Sequence, residues 1–164
     1  MCSRASLLYR GEAMPWKTTL KRAEKDKEEG KAPTTQAGEF VREEMEHIRR
    51  GKHGARNTKQ AIAIGLSKAR RAGVKLAAPK EGSTSPRTRK QAKRDLEKAE
   101  HGPRKTSHKR SAARERALKR EPHSAASRSA LSKQARSAAA RRSRSSRSAA
   151  AKKAASTRQH RRAA

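Results

Sequence analysis

The large apolar residues of this chain crowd into one interval. Phe40, Val41, Met45 and Ile48 recur at helical spacing, and Ala37 joins them on the same face. That period predicts an amphipathic helix over "PTTQAGEFVREEMEHIRR". Thr34 or Thr35 offers a capping hydroxyl at its start, and Gly51 a stop at its end. Glu39, Glu43, Glu44 and Glu46 load its earlier part, and Arg49 and Arg50 its end, the order the helix dipole favours. Glu44 falls on the apolar face between Phe40 and Ile48. A lone buried carboxylate is costly, so Glu44 is expected to reach a basic partner at the rim.

A second helix is predicted in "NTKQAIAIGLSKARRAGVKL". Asn57 and Gln60 have capping-box spacing. Gly73 ends the helix, and Val74 is placed to fold back on Ala69. Ile62, Leu66 and Ala69 form an apolar stripe. Ala61, Gly65 and Ala69 form a line of small residues that lets another helix come close. Ile64 lies about 160° from Ile62 at 100° per residue. Two destinations stay open for it: a third segment such as Val74–Leu76, or a self-association face. Together the two helices predict a hairpin over residues 34–78, with a core of Phe40, Val41, Met45, Ile48, Ile62, Leu66, Ala69 and Val74, and with homodimerisation through it as an option.

The flanks read differently. Residues 17–31 mix charges without an apolar stripe, which predicts a solvated linker or a frayed helix. Beyond Pro79, Ser85 and Pro86 open a helix that Gly102 and Pro103 close, but its stripe is only Ala92, Leu96 and Ala99. That predicts a solvated or binding-induced helix. Two weaker helices follow, broken at Pro122. From Arg141 the chain is low-complexity Ser, Arg and Ala, and no acid follows Glu121. Charge repulsion predicts an open tail whose alanines turn helical once phosphates neutralise the arginines.

Composition sharpens this picture. The 164 residues carry a formal net charge of +30, with 37% charged, 31% hydrophobic and 2% aromatic residues. Such chains struggle to bury enough apolar surface to offset ordering entropy. The expected fold class is therefore mostly α and largely disordered. A small hairpin sits between a flexible leader and linker (residues 1–33) and a basic tail (residues 79–164). The one cysteine, Cys2, allows no intrachain disulfide, and no apolar run approaches the roughly 20 residues of a membrane helix. The expected setting is intracellular and soluble, with no membrane partner. Gly11-Glu12 ahead of Met14 can be encoded as a ribosome-binding element, so translation of a bacterial gene is expected to start at Met14. Cys2 and Tyr9 then leave the functional argument, and Trp16 is expected to be a small anchor for the fold.

Catalysis is not expected. The chain has no Gly-rich phosphate loop of the Walker or dinucleotide type. No Ser-His-carboxylate set sits on a scaffold able to hold it. His47 and His53 lack partner cysteines or a matching second pair, which argues against zinc, and no metal or cofactor is expected.

The basic residues carry the functional signal. A sequence pI near 11.7 points to a polyanion, with nucleic acid first among the candidates. Arg49, Arg50, Lys52, His53 and Arg56 cluster at the inter-helix turn, beside the free N–H groups of a helix N-terminus, a natural phosphate site. Lys59, Lys68, Arg70 and Arg71 extend this surface. The tail adds Arg128, Lys133, Arg136, Arg141, Arg142, Arg144, Arg147, Lys152, Lys153, Arg158, Arg161 and Arg162. No aromatic residues interleave them, so base stacking is not the expected mode. Counterion release from duplex phosphates is the expected mode, and DNA is the expected partner ahead of RNA.

"KQAIAIGLSKARRAG" (residues 59–73) resembles the core of a family of small bacterial proteins known as a domain of unknown function. Its members read K-Q-A-I-A-I, a small residue, L-S, a charged residue, then A-R. Lys68 stands where many members have Glu. "ALKREPHSAASRSALSKQARSAAARR" is similar to their tails. The resemblance implies a bacterial or phage origin and no particular activity. "SAAAKKAAS" is similar in texture to the tails of bacterial histone H1-like proteins. The expectation is a nucleoid-associated DNA binder in the bacterial cytoplasm. An RNA- or ribosome-associated basic protein and a protein-interaction module localised by its tail are the alternatives.

Overall fold

A computed structural model describes residues 15–101 and 107–163. The inferred start at Met14, with Cys2 and Tyr9, and the predicted Gly102-Pro103 stop lie outside the described residues. Seven α-helices and one 3-10 turn are present among the described residues: α1 (Lys17–Glu28), α2 (Pro33–Arg49), α3 (Thr58–Arg71), α4 (Pro86–His101), α5 (His108–Lys119), the 3-10 turn His123–Ala126, α6 (Arg128–Ala140) and α7 (Arg144–Ala163). They fall into two units, Met1–Ser127 and Arg128–Ala164. The expectation of a largely disordered chain around a single hairpin is overturned. The α2–α3 pair exists, but α1, α4 and the 3-10 turn pack on it.

The helix boundaries follow local chemistry. The α2 helix starts one residue before the predicted threonine caps, at Pro33. Proline has a helix-ready φ and no N–H to leave orphaned at that position. The chain leaves α2 through Gly51, at φ +72°, and Lys52 N–H donates to the His47 carbonyl. Asn57 Oδ1 accepts from Gln60 N–H at 2.9 Å, and Gln60 Oε1 accepts from Arg56 N–H at 2.9 Å, which fixes the start of α3. Gly73, at φ +91°, ends α3, with Val74 N–H donating to the Ala69 carbonyl. Ser85 Oγ accepts from Thr88 N–H at the start of α4, and Ser143 Oγ accepts from Ser146 N–H at the start of α7.

The core is built largely from alanine. Ala23, Ala37, Phe40, Ala69 and Val74 form a buried cluster that joins α1, α2, α3 and the segment after α3, with Leu20, Leu66, Ala72 and Leu76 packed around it. Met45, Ile48, Ala55, Ala61, Ala92, Ala125 and Ala126 are buried as well. Of the predicted hairpin core, Phe40, Met45, Ile48, Ala69 and Val74 are buried, while Val41, Ile62 and Leu66 are half-buried. The face that α3 buries is thus the small-residue line, rather than the stripe of larger side chains. A Cβ on Gly65 would lie 2.7 Å from Val41 Cα, so the two helices meet there at backbone range.

Two flanking segments join the fold for the same reason. The α1 helix has no wide stripe, yet Thr19 and Ala23, one turn apart, are buried and Leu20 is half-buried. The α4 helix buries Ala92 and Asp95 and packs on α3, where Arg71 Nε lies 3.7 Å from Asp95 Oδ1. Ile64 lies on the Arg71 side of α3, seven residues earlier at 100° each, and is half-buried.

Residues 118–126 strap the α2–α3 turn. Gly54 N–H donates to the Leu118 carbonyl and Ala55 N–H to the Pro122 carbonyl. Thr58 Oγ1 donates to the Ala125 carbonyl at 2.7 Å. A Cβ on Gly54 would run into the Glu121 and Pro122 backbone, so only glycine admits the strap at this point. In the second unit, α6 and α7 bury none of their described residues. They form where an open tail was expected, because residues 128–163 contain no Gly or Pro and are rich in alanine.

Candidate nucleic-acid interface

The predicted turn cluster divides once the chain is folded. Arg49 Nε donates to the Ala126 carbonyl at 3.0 Å, which commits it to the strap. His53 is turned inward, with Nδ1 3.1 Å from the Gly54 carbonyl. Arg50 and Lys52 lie over the indole of Trp16, at 4.9 and 5.1 Å from the ring centroid. Arg56 and Lys59 are exposed, with Arg56 Nε 3.9 Å from Glu121 Oε1. The first turn of α3 is occupied by its own chain: Asn57 caps Gln60, and the strap covers Thr58. What the turn offers a polyanion is the exposed set Arg50, Lys52, Arg56 and Lys59.

Three predicted contacts on α3 serve the fold. Lys68 is buried, with Nζ 2.7 Å from Glu44 Oε2. Arg70 is buried too, and its Nε donates to the Leu76 carbonyl at 3.1 Å. Burial holds its guanidinium below the usual arginine range, and the nearby Asp95 acts the other way. Arg71 Nε donates to the Ser67 carbonyl and faces Asp95. Sequence periodicity marks these three as cations on a helix but does not show that α2, α4 and the segment after α3 cover them.

The second unit keeps its cations in water. Arg128, Lys133, Arg136, Arg141, Arg142, Arg144, Arg147, Lys152, Lys153, Arg158 and Arg162 are all exposed. Arg161 lies in α7, but its side chain is outside the description. At 100° per residue, Arg144, Arg147, Arg158 and Arg162 fall within about 60° of one another round α7. They make a cationic edge about 27 Å long at 1.5 Å per residue. No Asp or Glu occurs in either helix.

Between α2 and α3 lies a buried polar group of another kind. Glu44 is 0% exposed. Its Oε2 takes the Lys68 ammonium, and its Oε1 faces His53 Nε2 at 3.3 Å. The expected partner at the rim is instead an interior lysine of α3. Glu43, one residue earlier, accepts the Trp16 backbone N–H on Oε2 at 3.1 Å, and its Oε1 lies 3.7 Å from His47 Nε2. The His47 ring packs edge-on against Trp16, with centroids 4.9 Å apart. Burial, with the positive charges of Lys68 and Lys52, pushes the His47 imidazole down to about 4, so the ring is neutral at pH 7. Trp16 therefore does anchor the chain, on His47 and Glu43. The sequence does carry the signals Glu44-x-x-His47 and Glu43-x-x-x-His47, which place both carboxylates on the histidine's side of one helix.

The membrane-spanning option finds no candidate: no helix of the described residues is long and apolar enough to cross a bilayer. No family model, curated protein or solved structure matches the chain.

Proposed function

We propose that the chain is a non-enzymatic DNA-binding protein of the nucleoid-associated, histone-like kind. It acts by neutralising phosphates, with the bacterial nucleoid as its place of work. The observation that carries this reading is the second unit: two helices with every described Lys and Arg side chain in solvent and no carboxylate to compete with phosphate. The α7 edge runs nearly the length of one duplex turn, about 34 Å. Without aromatic residues to stack on unpaired bases, the favoured partner is a duplex. The exposed turn cations Arg50, Lys52, Arg56 and Lys59 add a second cationic surface in the first unit.

The test is salt-titrated binding of the full chain to duplex DNA and to structured RNA, repeated with Arg144, Arg147, Arg158 and Arg162 all changed to Gln. Each phosphate contact contributes about 0.9 to the slope of log K against log salt, so the variant should lose about 3 to 4 in slope. An unchanged slope overturns the reading for α7. Tighter binding of RNA than of DNA at equal salt moves the partner to RNA.

A further inference from the structure

We infer that Glu44, His47 and His53 form a binding site for one divalent transition-metal ion, with Zn2+ the natural occupant. The oxygen of Glu44 and the ring nitrogens of the two histidines lie within 4.8 Å of one another, close enough for one ion to bridge with a small inward movement. This site stands apart from the nucleic-acid reading and uses none of its exposed cations.

The hydrogen-bond inventory argues for an ion. The Gly54 carbonyl can only accept, so His53 Nδ1 carries a proton and donates to it. In the neutral ring that leaves Nε2 without a proton, 3.3 Å from Glu44 Oε1. Two acceptors that close to each other repel, and a cation between them would relieve the repulsion. A backbone carbonyl on the distal nitrogen is also what orients a metal-binding imidazole. Glu44 Oε1 is buried with no hydrogen-bond partner, and so is His47 Nε2. His47 is 3% exposed, and Glu43 Oε1, at 3.7 Å, is too far to accept a hydrogen bond from it. Buried polar atoms are nearly always satisfied, so two orphans on residues of one cluster indicate a missing partner.

The charges allow a dication. Glu43 and Glu44 supply two buried carboxylates; Lys68, on the far oxygen of Glu44, is the buried cation beside them, while Lys52 and Arg50 stand in solvent. Two imidazoles and a carboxylate are a borderline-soft set suited to Zn2+, Fe2+, Ni2+ or Cu2+ rather than Mg2+ or Ca2+. Glu44 and His47 belong to α2, and His53 to the loop that follows. An ion at their meeting point staples the Gly51–Asn57 loop to the helix end, three residues after Arg50.

The experiment uses the untagged full chain, stripped with a chelator and titrated with Co2+ and then Zn2+. One equivalent of Co2+ should give the visible absorption of a tetrahedral or five-coordinate site, Zn2+ should displace it, and the melting temperature should rise by several degrees. His53→Gln removes a loop ligand at little risk to the fold and should weaken binding by at least about 100-fold. His101→Gln, on an exposed position of α4, should leave binding unchanged. X-ray absorption of the Zn2+-loaded wild-type chain needs no variant and should show two imidazoles and no sulfur. The proposal is overturned if the helical, metal-free chain takes up no Co2+, if binding survives His53→Gln, or if the absorption shows a sulfur ligand.

Discussion

The α2–α3 pair and the α6–α7 pair are both helical, yet they are held by different means. In α2–α3 each helix presents a face: Phe40, Ile48 and Ala37 on one, Ala61, Gly65 and Ala69 on the other. Those faces exclude water at backbone range. In α6–α7 the alanines are spread among arginines and serines, and no described residue is buried. Helix formation needs only the absence of Gly and Pro and a tolerable propensity. Cooperative folding needs a face to bury. The comparison separates two properties that the word helix merges.

The sharpest test removes one large side chain from each region. Phe40 is 1% exposed, and Phe40→Ala should cost about 3–5 kcal/mol by urea unfolding. Leu131→Ala, on half-exposed α6, should stay within about 0.5 kcal/mol of wild type. If the two losses come out alike, α6 has a buried face in solution and the contrast fails.

The same contrast applies to two lysines. Lys68→Met strands the Glu44 carboxylate in the core and should cost about 3 kcal/mol, the lower end for a broken buried pair, since His53 remains beside Glu44. Adding Glu44→Gln should restore part of it. Lys133→Met should be within about 0.5 kcal/mol. These measurements belong in chelator, so that the apoprotein alone is compared. A Lys68→Met loss as small as that of Lys133→Met would mean that Glu44 takes a proton or turns to solvent when its partner goes.

That pair of lysines also shows where the sequence could be read and where it could not. The α3 cap, the glycine stops and the α2 face were legible because they are set by neighbours in the chain: Asn57 with Gln60, Gly73 with Val74, and Phe40 with Ile48; the expected threonine cap of α2 was not used, because the helix opens on Pro33. The extent of the fold was not. Weighing only large apolar side chains concealed a core made of Ala23, Ala37, Ala61, Ala69, Ala92, Ala125 and Ala126, each too small to register as a stripe. Residues 118–126 reach back some 65 positions to cover Gly54 and Thr58, and nothing local announces that return. Only Gly54 marks the place, and glycine is common in turns that no other segment crosses. The buried Glu–His group was hidden by the same distance effect. Glu44 and His47 are visible as a helical pair, but the arrival of His53 beside them depends on the path of the loop after Gly51.

The smallest and most discriminating prediction uses two helix caps. Asn57 caps α3 through Gln60 N–H, and Ser143 caps α7 through Ser146 N–H. Removing either hydroxyl or amide oxygen by alanine costs its own helix about 1 kcal/mol. In α3 that loss is shared with everything the helix packs on, so Asn57→Ala should lower the midpoint of global unfolding by that amount. In α7 the first turn has only its own hydrogen bonds to lose. Ser143→Ala should therefore leave the midpoint where it was and appear only as faster amide exchange over the first turn of α7. Equal shifts in the global midpoint would show that α7 unfolds together with the alanine core. The cationic edge would then be a rigid part of one fold rather than a helix held by its own turns.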